Sequence, residues 1–207
     1  MSNKTPSSSR WLRRQESDPY VRQARQEGWR SRAVYKLVEM QKRHRLMKSG
    51  DDVLDLGAAP GAWSQYAASL VQQKGRVIAV DLLEMDPIAG VDFIRGDFRE
   101  PETLSRVLDC IAKKRLDLVM SDMAPNISGN RSVDQPRAMY LAELAADLAV
   151  QVLKPGGSMV LKLFHGEGFD QFVRITRQRF GGMRVRKPAA SRTQSRETYM
   201  VATNFRV

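Results

Sequence analysis

Val53-Leu54-Asp55-Leu56-Gly57-Ala58-Ala59-Pro60-Gly61-Ala62-Trp63 is an apolar run that breaks abruptly into small residues. Gly57 and Gly61 permit backbone conformations that a Cβ resists, and Ser64 to Val71 has helical spacing, so the order is strand, tight loop, helix. A nucleotide-like ligand fits at such a turn. The spacing G-A-A-P-G lacks the G-x-G-x-x-G pyrophosphate fingerprint. That points away from a dinucleotide and toward an adenosyl ligand without phosphates, with S-adenosylmethionine the leading candidate. An ordinary strand-to-helix turn is the plain alternative, and two glycines alone do not separate the two.

Outward from this stretch, short apolar runs alternate with helical ones. Val77 to Val80, Phe93 to Ile94, Leu116 to Met120 and Ser158 to Phe164 read as further strands, with helices at Ser64 to Val71, Pro101 to Ala112 and Pro136 to Val152. The last helix stops at Lys154-Pro155-Gly156-Gly157. A helix over Phe169 to Phe180 leads to two final strands, Met183 to Arg186 and Thr198 to Thr203. This βαβ rhythm predicts a doubly wound α/β sheet. Toward the N-terminus, Ser-rich residues 1–9 carry no pattern, while Trp11 to Gln26 and Ser31 to Lys42 read as helices. Their aromatics, Trp11, Tyr20, Trp29 and Tyr35, are better placed to anchor helices than to stack on bases.

A chain of 207 residues with 42% hydrophobic content suits one α/β domain with short extensions. No apolar run approaches the length of a membrane span and no secretory leader is visible, so a cytoplasmic protein is expected. The single cysteine, Cys110, excludes an internal disulfide, and His44 and His165 alone make no zinc cluster, so no metal is expected. The net charge of +11 is uneven: residues 1–48 carry 13 Lys and Arg against 4 Asp and Glu, and residues 174–207 carry 9 against 1. Basic flanks around a mildly acidic centre suit a polyanion held by the ends while chemistry occurs between them. A solvated basic surface is the bland alternative.

In a doubly wound sheet ligands sit beyond the carboxyl ends of the strands, and an acid recurs there. Asp81 ends the second strand, where a carboxylate can accept from both ribose hydroxyls; Asp97 follows the third strand and Asp122 the fourth. Any one of them could be a helix cap; three beside a glycine loop form a pattern. Lys162 interrupts the apolar strand Val160-Leu161-Lys162-Leu163-Phe164, so its amine must be paired, reach solvent or be neutral. A snorkelling lysine on an edge strand is the plain reading.

These residues meet a wider set. S-S-S-R-W-L at Ser7 to Leu12, R-S-R-A-x-Y-K-L at Arg30 to Leu37, D-L-G-A-A-P-G-x-W-S-Q-Y at Asp55 to Tyr66 and D-L-L-x-M-D-P-I at Asp81 to Ile88 come first. M-S-D-M-A-P-N at Met120 to Asn126, P-R-A-M-Y-L at Pro136 to Leu141, G-E-G-F-D at Gly166 to Asp170, R-K-P at Arg186 to Pro188 and S-R-E-x-Y at Ser195 to Tyr199 follow. Over nearly its whole length the chain resembles the bacterial FtsJ/RrmJ-type ribosomal RNA 2′-O-ribose methyltransferases. Ala62 stands where relatives often carry a second glycine, a departure that touches nothing catalytic.

The resemblance implies a Rossmann-like class I fold, a seven-stranded, mostly parallel sheet with helices on both faces. It implies a basic extension over residues 1–48 that forms the RNA-binding face, followed by an S-adenosylmethionine-dependent methyltransferase domain over 49–207. The family's Lys-Asp-Lys-Glu tetrad carries over as Lys36, Asp122, Lys162 and Glu197, and cofactor contacts as Gly61, Trp63, Asp81, Asp97 and Asp122. Lys36 and Glu197 follow from the resemblance alone. The implied substrate is a uridine of 23S rRNA in the large ribosomal subunit, and the enzyme is expected to act as a monomer.

The expected chemistry is in-line attack of a ribose 2′-oxygen on a sulfonium-bound methyl group, with Lys162 as base. A lysine must shed a proton before it can accept one; Lys36 and desolvation favour that, and Asp122 and Glu197 oppose it, which suits them to orientation. Arg10, Arg13, Arg14, Arg30 and Arg32 are expected to form the phosphate-binding face. Competing functions are 2′-O-methylation of tRNA or an mRNA cap, a non-catalytic ribosome-assembly factor that retains the fold, and a nicotinamide-dependent dehydrogenase, which the missing G-x-G-x-x-G disfavours.

Overall fold

In the computed structural model, which describes residues 17–111 and 114–206, β1 (Asp52–Leu56) is buried along its whole length. That is why it reads as a continuous run and not as an alternation: both of its faces are covered. Beside it lie β2 (Arg76–Asp81) and β3 (Val91–Arg95) on one flank and β4 (Leu116–Ser121) and β5 (Leu153–Phe164) on the other, all parallel. β7 (Glu197–Phe205) runs antiparallel between β5 and β6 (Phe180–Arg186), giving the order β3-β2-β1-β4-β5-β7-β6. The expected seven-stranded, mostly parallel sheet is therefore present. Strand order reverses between β1 and β4, which opens a crevice at their carboxyl ends.

The helices are α1 (Pro19–Gln26), α2 (Val34–His44), α3 (Ala62–Val71), α4 (Pro101–Ile111), α5 (Arg131–Val152) and α6 (Phe169–Gln178). Alternate strand residues supply two apolar clusters, as the period of two requires. Leu54, Leu56, Val119 and Leu161 pack with Val107 of α4, Ala145 of α5 and Phe172 of α6. Val53, Leu118, Met120 and Val160 pack with Leu37 and Met40 of α2 and with Trp63 and Ala67 of α3. Helices thus cover both faces of the sheet, and α2, from the basic N-terminal segment, is part of the core. None of the helices among the described residues is long and apolar enough to cross a membrane.

Several boundaries differ from the sequence reading, each for a local reason. α1 begins at Pro19, with the Asp18 carboxylate accepting from the Tyr20 amide at 3.0 Å; residues 11–16 of the expected helix lie outside the described residues. α5 begins at Arg131 and passes through Pro136, because Asn130 caps it by accepting from Ser132 N at 3.1 Å. Asp134 then fastens the preceding turn, accepting from Ser128 N and Gly129 N, both at 2.9 Å. The stop signal at 154–157 is a bulge inside β5, which pairs with β4 through Leu153 before the register slips and through Ser158 after it. Phe180 belongs to β6 and not to α6.

Candidate active site

The loop after β1 is shaped by two left-handed glycines, Gly57 (φ 76°) and Gly61 (φ 102°). A Cβ on Gly57 would strike Met123, the residue after Asp122. One on Gly61 would come within 2.6 Å of Met85 Sδ and 2.8 Å of Ile88 Cδ1. Both positions need glycine because the loop is pressed between two other loops at the carboxyl edge of the sheet. Gly61 caps α3, whose first intrahelical bond runs from Gln65 N to Gly61 O at 2.8 Å, so the amides of the first turn face the crevice end of the helix.

Asp81, at the end of β2, accepts from Ala59 N at 2.9 Å and from Leu83 N at 2.8 Å, tying the glycine loop to the loop that follows β2. A carboxylate offers about four lone-pair positions, so capacity remains for hydroxyl donors. Asp97 is gripped by Arg99, whose Nε lies 2.8 and 2.9 Å from its two oxygens; the guanidinium holds this carboxyl below the usual range. Trp63 turns inward. Its indole is 3% exposed, donates to Ala33 O at 2.9 Å and packs on Tyr199 at 5.8 Å, so only its backbone is left for a ligand in the loop.

Under this loop Asp55 is buried, with Ser64 Oγ donating to it at 2.6 Å. Burial pushes its carboxyl up to about 7, against the pull of the Ser64 hydrogen bond, and the charges of Asp122 and Asp81 push the same way. An unfolded aspartate gives up its proton near pH 4. Between about 4 and 7 the unfolded state sheds a proton that the folded state keeps, so this group makes stability fall as pH rises. Asp55→Asn should flatten that decline: urea midpoints of variant and wild type taken from pH 4 to pH 8 should converge at the acid end and separate above it, and parallel curves would contradict the assignment.

Lys36, Asp122, Lys162 and Glu197, far apart in the chain, converge. Lys162 Nζ donates to the Asp122 carbonyl at 2.6 Å and forms an ion pair with Asp122 Oδ1 at 2.9 Å. Lys36 Nζ lies 3.0 Å from Glu197 Oε1 and 3.8 Å from Asp122 Oδ2, on the other side of the same carboxylate. The sheet explains the convergence. β7 is antiparallel, so its start adjoins the end of β5, with Lys162 opposite Tyr199 and Phe164 opposite Glu197. Glu197 and Tyr199, two apart, share a face.

Tyr199 is the residue the sequence reading left without a role, although it stands in the S-R-E-x-Y motif. Its hydroxyl accepts from Lys36 Nζ at 2.8 Å and donates to Asp122 Oδ1, while Lys36 sits 5.3 Å from its ring centre. Burial, joined by the carboxylates of Asp122 and Glu197, holds the phenol well above its ordinary value, so it remains a neutral donor.

The arginines expected to meet phosphates behave differently. Arg10, Arg13 and Arg14 lie outside the described residues. Arg32 pairs with Asp18 and donates to Ala190 O, and Arg30 donates to three backbone carbonyls, so both guanidiniums are turned to the protein. Nearby acceptors on other loops, invisible in the sequence, take them. The aromatics are half-buried and pack on one another, Tyr20 with Tyr35 and Trp29 with Tyr66, and Trp11 is outside the described residues.

A glycine turn at the switch point of a parallel sheet, with two lysines and two carboxylates gathered beside it, places the molecule among the α/β methyltransferases. The chain belongs to the FtsJ-like methyltransferase family, whose model matches residues 29–205. It is 55% identical, over 99% of each chain, to a protein of Marinobacter nauticus named ribosomal RNA large subunit methyltransferase E. Among solved structures, a chain of Plasmodium falciparum described as a ribosomal RNA methyltransferase matches with a TM-score of 0.76 at 26% identity, covering 86% of this chain and 98% of that one. A chain of Clostridium thermocellum described as an rRNA methylase shares the fold, with a TM-score of 0.53 at 18% identity over 83% of this chain and 95% of that one.

Proposed function

We propose that the protein transfers the methyl group of S-adenosylmethionine to the ribose 2′-hydroxyl of a uridine in 23S rRNA, within the large ribosomal subunit, as a cytoplasmic monomer that needs no metal. The observation that carries this reading is the hold of Asp122 on Lys162, whose Nζ donates to the Asp122 carbonyl at 2.6 Å and pairs with Asp122 Oδ1 at 2.9 Å. An amine anchored in this way can, once it has released a proton, accept the proton of a ribose hydroxyl. The name of the Marinobacter relative supports rRNA as the class of substrate. A 2′-hydroxyl acceptor also requires ribose, which favours RNA over DNA.

The cofactor residues fit an adenosyl sulfonium ligand. Gly57 and Gly61 keep the loop free of side chains, the first-turn amides at Ala62 and Trp63 suit a carboxylate, Asp81 suits ribose hydroxyls, and Asp97, held ionised by Arg99, suits an amino donor. When bound, the cofactor supplies an activated methyl group. Asp122 joins the two halves of the site, since Met123, next to it, packs against Gly57. Glu197 and Tyr199 fix Lys36, whose cationic end is then available to orient the ribose or to balance charge as the hydroxyl proton leaves. The basic residues of 1–48 and 174–207 are proposed to hold the RNA, with Arg30 and Arg32 excepted.

The test is transfer of labelled methyl from S-adenosylmethionine to purified large subunits, free rRNA and tRNA, followed by mapping of alkali-resistant linkages. Label at one ribose of the subunit RNA is expected. Label in tRNA alone would move the reading to a tRNA enzyme, and cofactor binding without label in any RNA would move it to an assembly factor.

A further inference from the structure

The segment that leads into α2 is stitched to the cofactor helix. Gln65 Nε2 donates to Gly28 O at 3.0 Å, Arg30 N donates to Gln65 Oε1 at 3.1 Å, and Trp63 Nε1 donates to Ala33 O at 2.9 Å. Arg30 lies at the centre of this seam. Its NH1 donates to Pro60 O at 3.1 Å and to Asp86 O at 2.7 Å, and its NH2 donates to Pro87 O at 2.8 Å. Pro60 belongs to the glycine loop, and Asp86 and Pro87 to the loop after β2, so one guanidinium bridges two neighbouring loops at the carboxyl edge of the sheet. The fit is close: a Cβ on Gly61 would stand 3.0 Å from Arg30 NH1, 2.6 Å from Met85 Sδ and 2.8 Å from Ile88 Cδ1.

We infer that Arg30 is a positioning residue of the cofactor site, clamping the loop after β1 to the loop after β2, and is not a phosphate contact. A planar fork with five donors can reach three carbonyls on separate chain segments at once; a lysine, with its donors on one atom, cannot span them. These carbonyls take three of the five N–H groups and fix the direction of the guanidinium. Without the clamp, the two loops have no other shared cationic donor among the described residues, and part of the cofactor's binding energy must go to closing them. The inference rests on the proposal that this loop holds S-adenosylmethionine.

Arg30→Lys separates the two roles, because it keeps the charge and loses the fork. Titration calorimetry with S-adenosylhomocysteine, on the full chain, should show affinity about tenfold or more below wild type, the loss expected for charge-assisted hydrogen bonds. In steady state the KM for S-adenosylmethionine should rise more than kcat falls, while RNA affinity and its salt slope stay unchanged. Arg30→Met should weaken S-adenosylhomocysteine binding at least as much, and thermal melting of both variants checks that they fold. If instead Arg30→Lys binds S-adenosylhomocysteine as wild type does, or if Arg30→Met weakens RNA binding and lowers its salt slope by about one phosphate while cofactor affinity holds, the clamp is overturned and the phosphate role restored. A wild-type chain that does not bind S-adenosylhomocysteine overturns the cofactor reading itself, and the clamp with it.

Discussion

Lys162→Met should slow methyl transfer by about a thousandfold at saturating cofactor and RNA, with S-adenosylhomocysteine still bound. Methionine keeps most of the lysine stem, so the buried path through β5 stays filled, and Asp122 retains Tyr199 and the nearby Lys36 as partners. What disappears is the amine proposed as the base. Single-turnover transfer from labelled cofactor reads the effect on chemistry, and calorimetry reads binding separately. A rate within about tenfold of wild type would show that orientation of the cofactor and ribose suffices, and that Lys162 is not the base.

The second large effect is on the fold. Trp63→Ala should destabilise the protein by about 3–5 kcal/mol, the usual cost of emptying a buried tryptophan site. The indole is 3% exposed and sits in the apolar cluster between α2, α3 and the sheet; its removal also leaves Ala33 O without its 2.9 Å donor. Trp63→Phe, which keeps a ring against Tyr199 but not the hydrogen bond, should lose much less. Urea denaturation with unchanged m-value measures both. A loss below about 1 kcal/mol for the alanine variant would mean that the cluster collapses around the gap. Because the indole packs on Tyr199, any folded Trp63→Ala protein should also transfer methyl more slowly, through displacement of Lys36.

The parts of this architecture that were legible in the chain are the ones encoded over short distances. The break from Leu56 into Gly57 is a change of hydropathy and of backbone freedom within a few residues, and Asp81, Asp97 and Asp122 mark strand ends. Lys162 stands out because an ammonium in an apolar run demands an explanation. Lys36 and Glu197 carry no such local mark and follow only from the resemblance. Tyr199 could have been found, since its place two residues after Glu197 in a strand puts both on one face, but its value as a bridge between Lys36 and Asp122 needs the β5–β7 register.

Arg30 and Arg32 show what a local pattern does not carry. A basic N-terminal segment reads as a surface for polyanions, yet where a guanidinium ends depends on which acceptors are near, and Pro60, Asp86, Pro87 and Ala190 come near only when the loops are assembled. Pro136 is a similar case: proline at a first turn is the local preference, but the Asn130 cap starts the helix earlier and carries it through.

The sequence by itself determined the alternation of strands and helices, the glycine turn at the switch point and the identity of the acids at the strand ends, because these depend on periodicity and on backbone sterics within a few residues. Only the tertiary structure decided which charges meet. The cluster of Lys36, Asp122, Lys162 and Glu197, the inward turn of Trp63 and the reach of Arg30 depend on an antiparallel strand bringing its start beside the end of β5 and on the loops after β1 and β2 lying side by side. Hydrogen bonds and ion pairs act over a few ångströms, and no pattern along the chain measures a distance between residues so far apart in it.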